Sequence, residues 1–563
     1  MQHSPGFLLV LSWLAASSGL RAQAPTPTPI PVTIRVDADH PTGPLPRIWR
    51  FFGADEPNYA TMRDGKKLLG ELGALAPGET FFRTHNLLCT GDGTPALKWG
   101  STNVYTEDAE GRPVYDWHIV DEIFDTYLQR GVRPYAQIGF MPRALSTHPE
   151  PYQHHWTPRA RYEEIMTGWS YPPTDYAKWG ELAYQWTKHC VERYGAEEVS
   201  RWYWEVWNEA NGLYWHGSHD DFNKLHDYAV AGVRRALPNA RVGGPDAAGS
   251  GGRFTEDFLN HCLHGTNFAT GEPGTPLDFV AFHAKGAPEF VDGHVRLGIA
   301  AQLRTLDEGF RLVARHPELR RTPVIIGESD PDGCAACQGP QLGYRNGTMY
   351  SSYTAASFAR HLDLAERAGV NLEGALTWAF EFEDQPPFAG FRVLASQGVD
   401  LPVLNVFRLF SRLGGLRLPV ESTGAVPLGQ LLKSGVRGPA DVSALASLDQ
   451  DRLCMLVWHY HDDDLPGPAA EVEISLDGLP EGLAGGRLRQ YLIDHDHSNA
   501  YTVWQNLGAP AKPDSAQMAL LEQAGQLAEV EVPEGALKTS DARHATLHLS
   551  LPRQGVALFV LGR

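Results

Sequence analysis

From residue 48 to residue 413, short apolar runs alternate with stretches whose apolar positions recur every three to four residues. This alternation predicts parallel strands covered by helices. The strand-like runs are Trp49 to Ala54, Thr80 to His85, Arg133 to Gly139, Trp202 to Trp207, Arg241 to Gly244, Asp278 to His283, Thr322 to Gly327 and Gly374 to Phe380. Between them lie helices such as His118 to Arg130, where Ile119, Val120, Ile123, Phe124, Tyr127 and Leu128 keep one face apolar and Gly131 ends the turn. Eight strands interleaved with helices predict an α/β fold, a (β/α)8 TIM barrel over residues 48–413.

After residue 413 the helical period fades and alternating strands take over: Asp451 to Tyr460, Glu471 to Leu476, Arg487 to Ile493, His544 to Leu549 and Gly555 to Leu561. These predict an accessory antiparallel β-sandwich over 414–563. Val32 to Val36 alternates in the same way, so residues 32–47 are expected to add an N-terminal strand to that sandwich.

A chain of 563 residues is too long for one core and accommodates two domains plus an export segment. Phe7 to Ala16 is a short apolar stretch followed by Ala22-Gln23-Ala24 and Pro25-Thr26-Pro27-Thr28-Pro29. We read a signal peptide over 1–24 and a Pro/Thr linker over 25–31, hence an exported protein, periplasmic or extracellular. No later stretch approaches the roughly 20 apolar residues that span a bilayer, so no membrane partner is expected. A formal charge of −19 excludes nucleic acid, whose binding needs clustered Lys and Arg. Fifteen tryptophans suit a cleft lined with flat faces on which sugars stack, although most tryptophans in any chain are core.

Six cysteines are scattered except for the pair Cys334-Ala335-Ala336-Cys337. That spacing fits a redox dithiol, half a zinc site or a local disulfide, and an oxidised clip suits an exported chain. Asn346-Gly347-Thr348 matches the glycosylation acceptor pattern. Asp494-His495-Asp496-His497 has the composition of a metal cluster, but alternation along a strand sends neighbours to opposite faces, so it reads as a polar strand end. His154-His155 reads as a solvated loop, and no metal site is expected.

Two segments carry the candidate chemistry. Glu209 follows the fourth strand in Trp207-Asn208-Glu209-Ala210-Asn211, and Glu328 follows the seventh in Ile325-Ile326-Gly327-Glu328-Ser329. Both lie on the face of the barrel that bears catalysis, on opposite sides of its mouth. A strand-terminal glutamate by itself is more often an ion-pair partner than a catalyst; two on facing strand ends are the layout of a glycosidase. One carboxyl protonates the departing oxygen and the other attacks or stabilises the anomeric carbon. Repulsion from an ionised Glu328 keeps the proton on Glu209 until it is donated, after which Glu209 serves as base toward water. Asn208 is placed to donate to a sugar 2-hydroxyl. His85 and His283 end the second and sixth strands and are read as substrate contacts, and Trp378 on the eighth strand as a sugar platform.

With these residues in view, the chain resembles glycoside hydrolase family 39, which contains β-xylosidases and α-L-iduronidases. The resemblance rests on Phe82-Arg83-Thr84-His85, Tyr115-Asp116-Trp117 through Asp121-Glu122-Ile123-Phe124, Gly139-Phe140-Met141-Pro142, Glu205-Val206-Trp207-Asn208-Glu209, Val242-Gly243-Gly244-Pro245, Phe388-Ala389-Gly390-Phe391 and Leu401-Pro402-Val403. It implies a retaining mechanism with Glu209 as acid/base and Glu328 as nucleophile, and sugar contacts from His85, Asn208 and His283. It also implies no cofactor and a sandwich packed on the barrel. Ala210 departs from the proline usual in the family at that position.

His283-Ala284-Lys285-Gly286 and Glu328-Ser329-Asp330-Pro331 look more like the iduronidase branch, in which the residue matching Lys285 holds the uronic carboxylate, with Arg392 close to another such contact. Against this, Lys285 is expected to pair with Glu381, Glu383 or Asp384 on the loop after the eighth strand, which would neutralise it and repel an anionic sugar. A neutral pentoside is therefore preferred: terminal β-D-xylosyl residues of xylo-oligosaccharides, ahead of a uronide or an α-L-arabinoside. A non-catalytic carbohydrate-binding barrel is the remaining reading, and its hallmark, loss of one carboxylate, is not seen. The Pro-, His- and Trp-rich insert from Met141 to Tyr176 is expected to close one end of the cleft and make the action exo.

Overall fold

Eight parallel strands close into a barrel in the computed structural model, which describes residues 28–562. The expected signal peptide and the first residues of the linker lie outside the described residues. The strands are β1 (Phe51–Ala54), β2 (Thr80–Thr84), β3 (Val132–Ile138), β4 (Tyr203–Val206), β5 (Arg241–Ala247), β6 (Phe279–Lys285), β7 (Pro323–Asp330) and β8 (Asn371–Trp378). They pair in chain order, and β8 closes the ring on β1 through Leu376 opposite Phe51 and Trp378 opposite Gly53. A helix follows each: α1 (Arg63–Leu75), α2 (His118–Gln129), α3 (Tyr176–Tyr194), α4 (His219–Ala236), α5 (Arg253–His264), α6 (Ile299–Ala314), α7 (Thr348–Ala368) and α8 (Pro402–Phe410). In α4 Ser218 and Asp221 form a reciprocal capping box, and Phe222, Leu225, Ala229 and Val233 turn inward at helical spacing.

The barrel interior is layered. Its floor is an apolar cluster of Phe51, Phe81, Tyr135, Tyr203, Phe279, Ala281, Ile325 and Leu376, roofed by Trp378. Above it the inward positions change from aromatic to charged.

The C-terminal region is a two-sheet sandwich. One sheet runs Val420–Ser422, Ile30–Asp37, Ala470–Asp477, His544–Leu551, Leu537–Asp541, and the other runs Gly43–Pro44, Leu416–Leu418, Asp441–Asp449, Arg452–Tyr460, Val556–Gly562, Arg487–Ile493, Ala528–Val530. The N-terminal strand starts at Ile30, so Ile30 and Pro31, expected in the linker, belong to it. It runs parallel to Ala470–Asp477, which makes the sandwich mixed rather than purely antiparallel. The strand Arg452–Tyr460 is buried on both faces: Leu453, Met455 and Val457 enter the sandwich core, while Cys454, Leu456 and Trp458 join the core shared with the barrel. Helix α7 packs against this strand.

The short motifs resolve as follows. Cys334 and Cys337 are disulfide-bonded, and the other four cysteines are free and buried. Asn346 is not available as a glycan acceptor: it is buried, and its amide donates to the Phe388 carbonyl at 2.9 Å. Asp494 to His497 form a turn in which Asp494 Oδ1 accepts from the amides of Asp496 and His497. His154 is buried rather than solvated, its Nε2 lying 2.9 Å from the Lys98 carbonyl, whereas His155 is exposed. Among the described residues no helix is long and apolar enough to cross a membrane.

Candidate active site

The ends of the five strands β2, β4, β5, β6 and β7 bring their ionisable groups to one point. At its base lies Arg83 of β2, fully buried and bonded to Glu205, to Asp246 and, at 3.0 Å, to Asn208 Oδ1. An arginine in an apolar barrel is tolerated because its planar fork meets a carboxylate on two sides. Holding Asn208 by its carbonyl oxygen turns the amide N–H2 of Asn208 away from the arginine. Glu205 is further bonded by the Tyr135 hydroxyl at 2.7 Å, which joins the charged layer to the aromatic floor.

Glu209 stands at the end of a sharp turn after β4. Trp207 and Glu209 both have positive φ, 69° and 47°. Such conformations are costly for bulky residues and persist where neighbours hold them. Here Trp207 N donates to the Ile138 carbonyl at 3.1 Å and Glu209 N to the Asp246 carbonyl at 2.9 Å.

His283 Nδ1 lies 2.7 Å from Glu209 Oε1 and 3.8 Å from Glu328 Oε2, so one imidazole faces both glutamates. Oxygen atoms of Glu209 and Glu328 and the His283 nitrogen all lie within 4.8 Å of one another. Three such donors also resemble a cation site, but positive charge is already supplied by Lys285 and Arg83. Lys285 Nζ is 2.7 Å from Glu328 Oε2 and 2.9 Å from Asp330 Oδ2; the other Glu328 oxygen is 3.8 Å from both Arg83 and His85. Burial by itself would raise the Glu328 carboxyl, but His283, Lys285, His85 and Arg83 outweigh it and hold it at about 2. His283 moves the other way: burial opposes its charge, yet Asp246 and the two glutamates push it up to about 10.

A second charged group lines the wall formed by β1 and the loop after β2. Asp55 takes a bond from His85 Nδ1 at 2.8 Å and another from Lys98 Nζ at 2.6 Å, with Lys98 5.4 Å over the ring of Tyr162. Burial and the nearby Arg83 keep His85 below the ordinary histidine range. Tyr162 belongs to the insert expected between Met141 and Tyr176, and its hydroxyl is 2.6 Å from that of Tyr214 in the loop after β4. The same insert reaches the disulfide loop after β7, where Trp156 Nε1 donates to the Ala336 carbonyl at 3.2 Å.

Of the residues predicted from sequence, His85, Asn208, Glu209, His283, Lys285 and Glu328 converge. Trp378 does not present an open face to a sugar. It is 3% exposed, with the His85 ring centroid 4.4 Å away and the Arg83 guanidinium 5.1 Å from its own ring. Gly53 makes room for it, since a Cβ there would lie 2.5 Å from the indole.

The expected pairing of Lys285 with the loop after β8 is overturned. Glu381 accepts from the Gly398 amide, Glu383 from the Asp64 amide and Asp384 from the Tyr59 hydroxyl, so none reaches the lysine. Burial also raises Glu381 to about 8, leaving it uncharged at neutral pH. Arg392 is withdrawn from substrate as well: it is fully buried, bonded at 2.8 Å to Asp330 and also to the Trp378 carbonyl.

Sequence reasoning assigned no role to Arg83, Glu205, Asp246, Asp55, Lys98 or Asp330. For Arg83 and Glu205 a signal exists, a charge inside an otherwise apolar strand; the other four lie in loops or at strand ends where charge is unremarkable.

The family profile described as "Glycosyl hydrolases family 39" matches residues 32–538. The β-xylosidase of Geobacillus stearothermophilus is 25% identical over 496 residues, covering 84% of each chain. The α-L-iduronidase of Homo sapiens is 25% identical over 564 residues, covering 92% of this chain and 76% of its own. Among solved structures, the family 39 enzyme from Xanthomonas axonopodis pv. citri superposes with a TM-score of 0.68 at 21% identity, covering 97% of this chain and 99% of its own, a likeness of fold. A closed barrel with paired glutamates at its mouth, together with a family match across both domains, places this chain in glycosyl hydrolase family 39.

Proposed function

We propose that this chain is a retaining exo-glycosidase that releases terminal β-D-xylosyl residues from xylo-oligosaccharides, with Glu209 as acid/base and Glu328 as nucleophile. The observation that carries the mechanism is the approach of the two carboxylates to within 4.8 Å. Retaining enzymes hold their carboxyls about 5 to 5.5 Å apart, whereas inverting ones leave roughly 6.5 to 9.5 Å for a water. Glu328 is held ionised, and Lys285 anchors its Oε2, so the more loosely held Oε1 is the attacking oxygen. Glu209 protonates the leaving oxygen as the glycosyl–Glu328 bond forms. It then takes a proton from the water that hydrolyses this intermediate.

Support for a neutral glycone comes from the bridging of Lys285 between Glu328 and Asp330. A substrate carboxylate would have to compete with two carboxylates already in place. Support for exo action comes from the insert that joins the wall of the site to the disulfide loop. A uronide is the second reading, because Lys285 has three N–H donors, two of them used, and its side chain is still 16% exposed. Export is part of the proposal, and cleavage near residue 24 of the secreted protein is the observation that tests it.

The functional test is nitrophenol release from β-D-xyloside, α-L-arabinoside, β-D-glucuronide and α-L-iduronide substrates, with analysis of products from xylo-oligosaccharides. Xyloside preference with xylose as product, and with the anomeric configuration kept in early products, is expected. Preference for a uronide establishes the second reading, inverted products refute the mechanism, and no turnover of any sugar favours a binding barrel.

A further inference from the structure

His283 is held between two carboxylates. Its Nε2 is 2.8 Å from Asp246 Oδ2 and its Nδ1 is 2.7 Å from Glu209 Oε1. A neutral imidazole has a single N–H; one whose two nitrogens both face carboxylate oxygens is best satisfied doubly protonated. Asp246 is built into this place with care. Its carboxylate is fully buried, its backbone carbonyl accepts from the Glu209 amide at 2.9 Å, and its φ is 49°. A Cβ on Gly327, the residue before Glu328, would lie 1.9 Å from Asp246 Oδ1, so only glycine there leaves room for the carboxylate. Asp246 therefore touches the backbone of one catalytic segment and abuts the strand that carries the other.

We propose that Asp246 is a positioning residue which, through His283, dictates which oxygen of Glu209 carries the transferable proton. This rests on the assignment of Glu209 as acid/base. With Oε1 occupied by the His283 N–H, the proton of Glu209 is confined to Oε2. As the glycosidic bond breaks, its electron pair goes to the leaving oxygen, which takes the proton from Oε2. The imidazolium remains on Oε1 and balances the new carboxylate. In the second step the proton of the attacking water returns to Oε2.

In Asp246→Asn, His283 Nε2–H donates to the amide oxygen and the ring becomes neutral. Its Nδ1 lone pair then faces Oε1 and draws the carboxyl proton there, away from the substrate.

The surrounding charges leave the Asp246–His283–Glu209 line as the route. His283 meets Asp246 from β5, Glu209 after β4 and Glu328 from β7 at 3.8 Å. Asp246 also bonds Arg83 of β2, with Glu205 of β4 and Tyr135 of β3 nearby. Glu209 additionally faces Tyr162 and Tyr214, and Lys285, on the strand of His283, is committed to Glu328 and Asp330.

The test compares wild type with Asp246→Asn on two glycosides of the same sugar: a dinitrophenyl glycoside, whose leaving group departs without protonation, and a methyl glycoside, whose leaving group needs it. We expect kcat/KM to fall about 100-fold or more on the methyl glycoside and less than about fivefold on the dinitrophenyl glycoside. An equal loss on both would mark a purely structural residue and overturn the proposal. In parallel, ¹⁵N-histidine NMR, with His283 assigned by difference from His283→Gln, reads the ring directly. His283 should stay an imidazolium through pH 8 in wild type and be neutral at pH 8 in Asp246→Asn. A wild-type His283 that titrates near its ordinary value of about 6.5 overturns the proposal without any variant. If the protein cleaves none of the glycosides, the functional reading has failed, and the NMR titration alone decides whether Asp246 charges His283.

Discussion

The same eight strands carry two different interiors. Below the level of Tyr135 the barrel is filled by Phe51, Phe81, Tyr203, Phe279, Ile325 and Leu376, and its energetics are those of close-packed rings, with Phe51 and Phe81 stacked at 5.2 Å and Phe81 edge-on to Tyr203 at 4.9 Å. Above it, Arg83, Glu205, Asp246, His283, Lys285, Glu328 and Asp330 are nearly as buried yet almost all charged. The lower half gains from leaving water; the upper half loses from it and is held by mutual pairing. This difference explains why chemistry is confined to one end. Only where opposite charges are closely matched does a buried carboxylate such as Glu328 stay ionised, and only there is it poorly solvated enough to react.

The comparison breaks most sharply at the glutamates. Glu328→Gln should lower kcat/KM on nitrophenyl xyloside by about 10⁴-fold or more, since it removes the attacking oxygen. Survival of activity within tenfold would remove Glu328 from the mechanism. The floor should behave oppositely: Phe81→Ala is expected to cost about 3 to 5 kcal/mol in denaturant unfolding while KM at low temperature is unchanged, because the cavity lies below Trp378. A large KM effect without loss of stability would show that the two layers are not separate.

Lys285→Met sharpens the upper half. On a neutral xyloside it should reduce kcat about 10- to 100-fold by releasing Glu328, with KM altered less than threefold, whereas a selective rise in KM on a uronide would make Lys285 the glycone reader. The smallest effect concerns Glu381, buried beside Gly398 and raised to about 8. A carboxyl raised in the folded state contributes its full stability below about 4.5, its ordinary value, and loses it as pH rises toward 8. Glu381→Gln should therefore melt a few degrees above wild type at pH 9 and level with it at pH 4, as read by differential scanning calorimetry. Equal melting differences at both pH values would mean that Glu381 is ionised in the folded chain.

All eight barrel strands and the two glutamates were legible in the chain, because a two-residue alternation or a continuous apolar run is a local property and strand order follows chain order in a closed barrel. The strand Asp441–Asp449 was not recognised, since its buried positions include Ser443, Ala444, Ala446 and Ser447 and so give neither a continuous apolar run nor a clean alternation. The helices Ala500–Asn506 and Ser515–Gly525 were missed as well; they are short, and Tyr501 and Trp504 find their partner in Phe388 of the barrel, far away in sequence. Lys285 was assigned the wrong carboxylates for a related reason. Glu381, Glu383 and Asp384 follow the next strand but one and looked close, while on the adjacent strand Asp330 lies directly opposite Lys285 and Glu328 opposite His283, two residues before it.

Sequence alone determined the barrel, the sandwich and the two strand-end carboxylates, because each is written in hydrophobic period and in charge placed just past an apolar run. Tertiary structure alone decided that Arg83, Asp246 and His283 form one network behind those carboxylates, that Trp378 is a roof, and that Lys285 bridges Glu328 and Asp330. Burial and pairing of charges depend on side chains brought together from five different strands, and no one strand contains more than two of them.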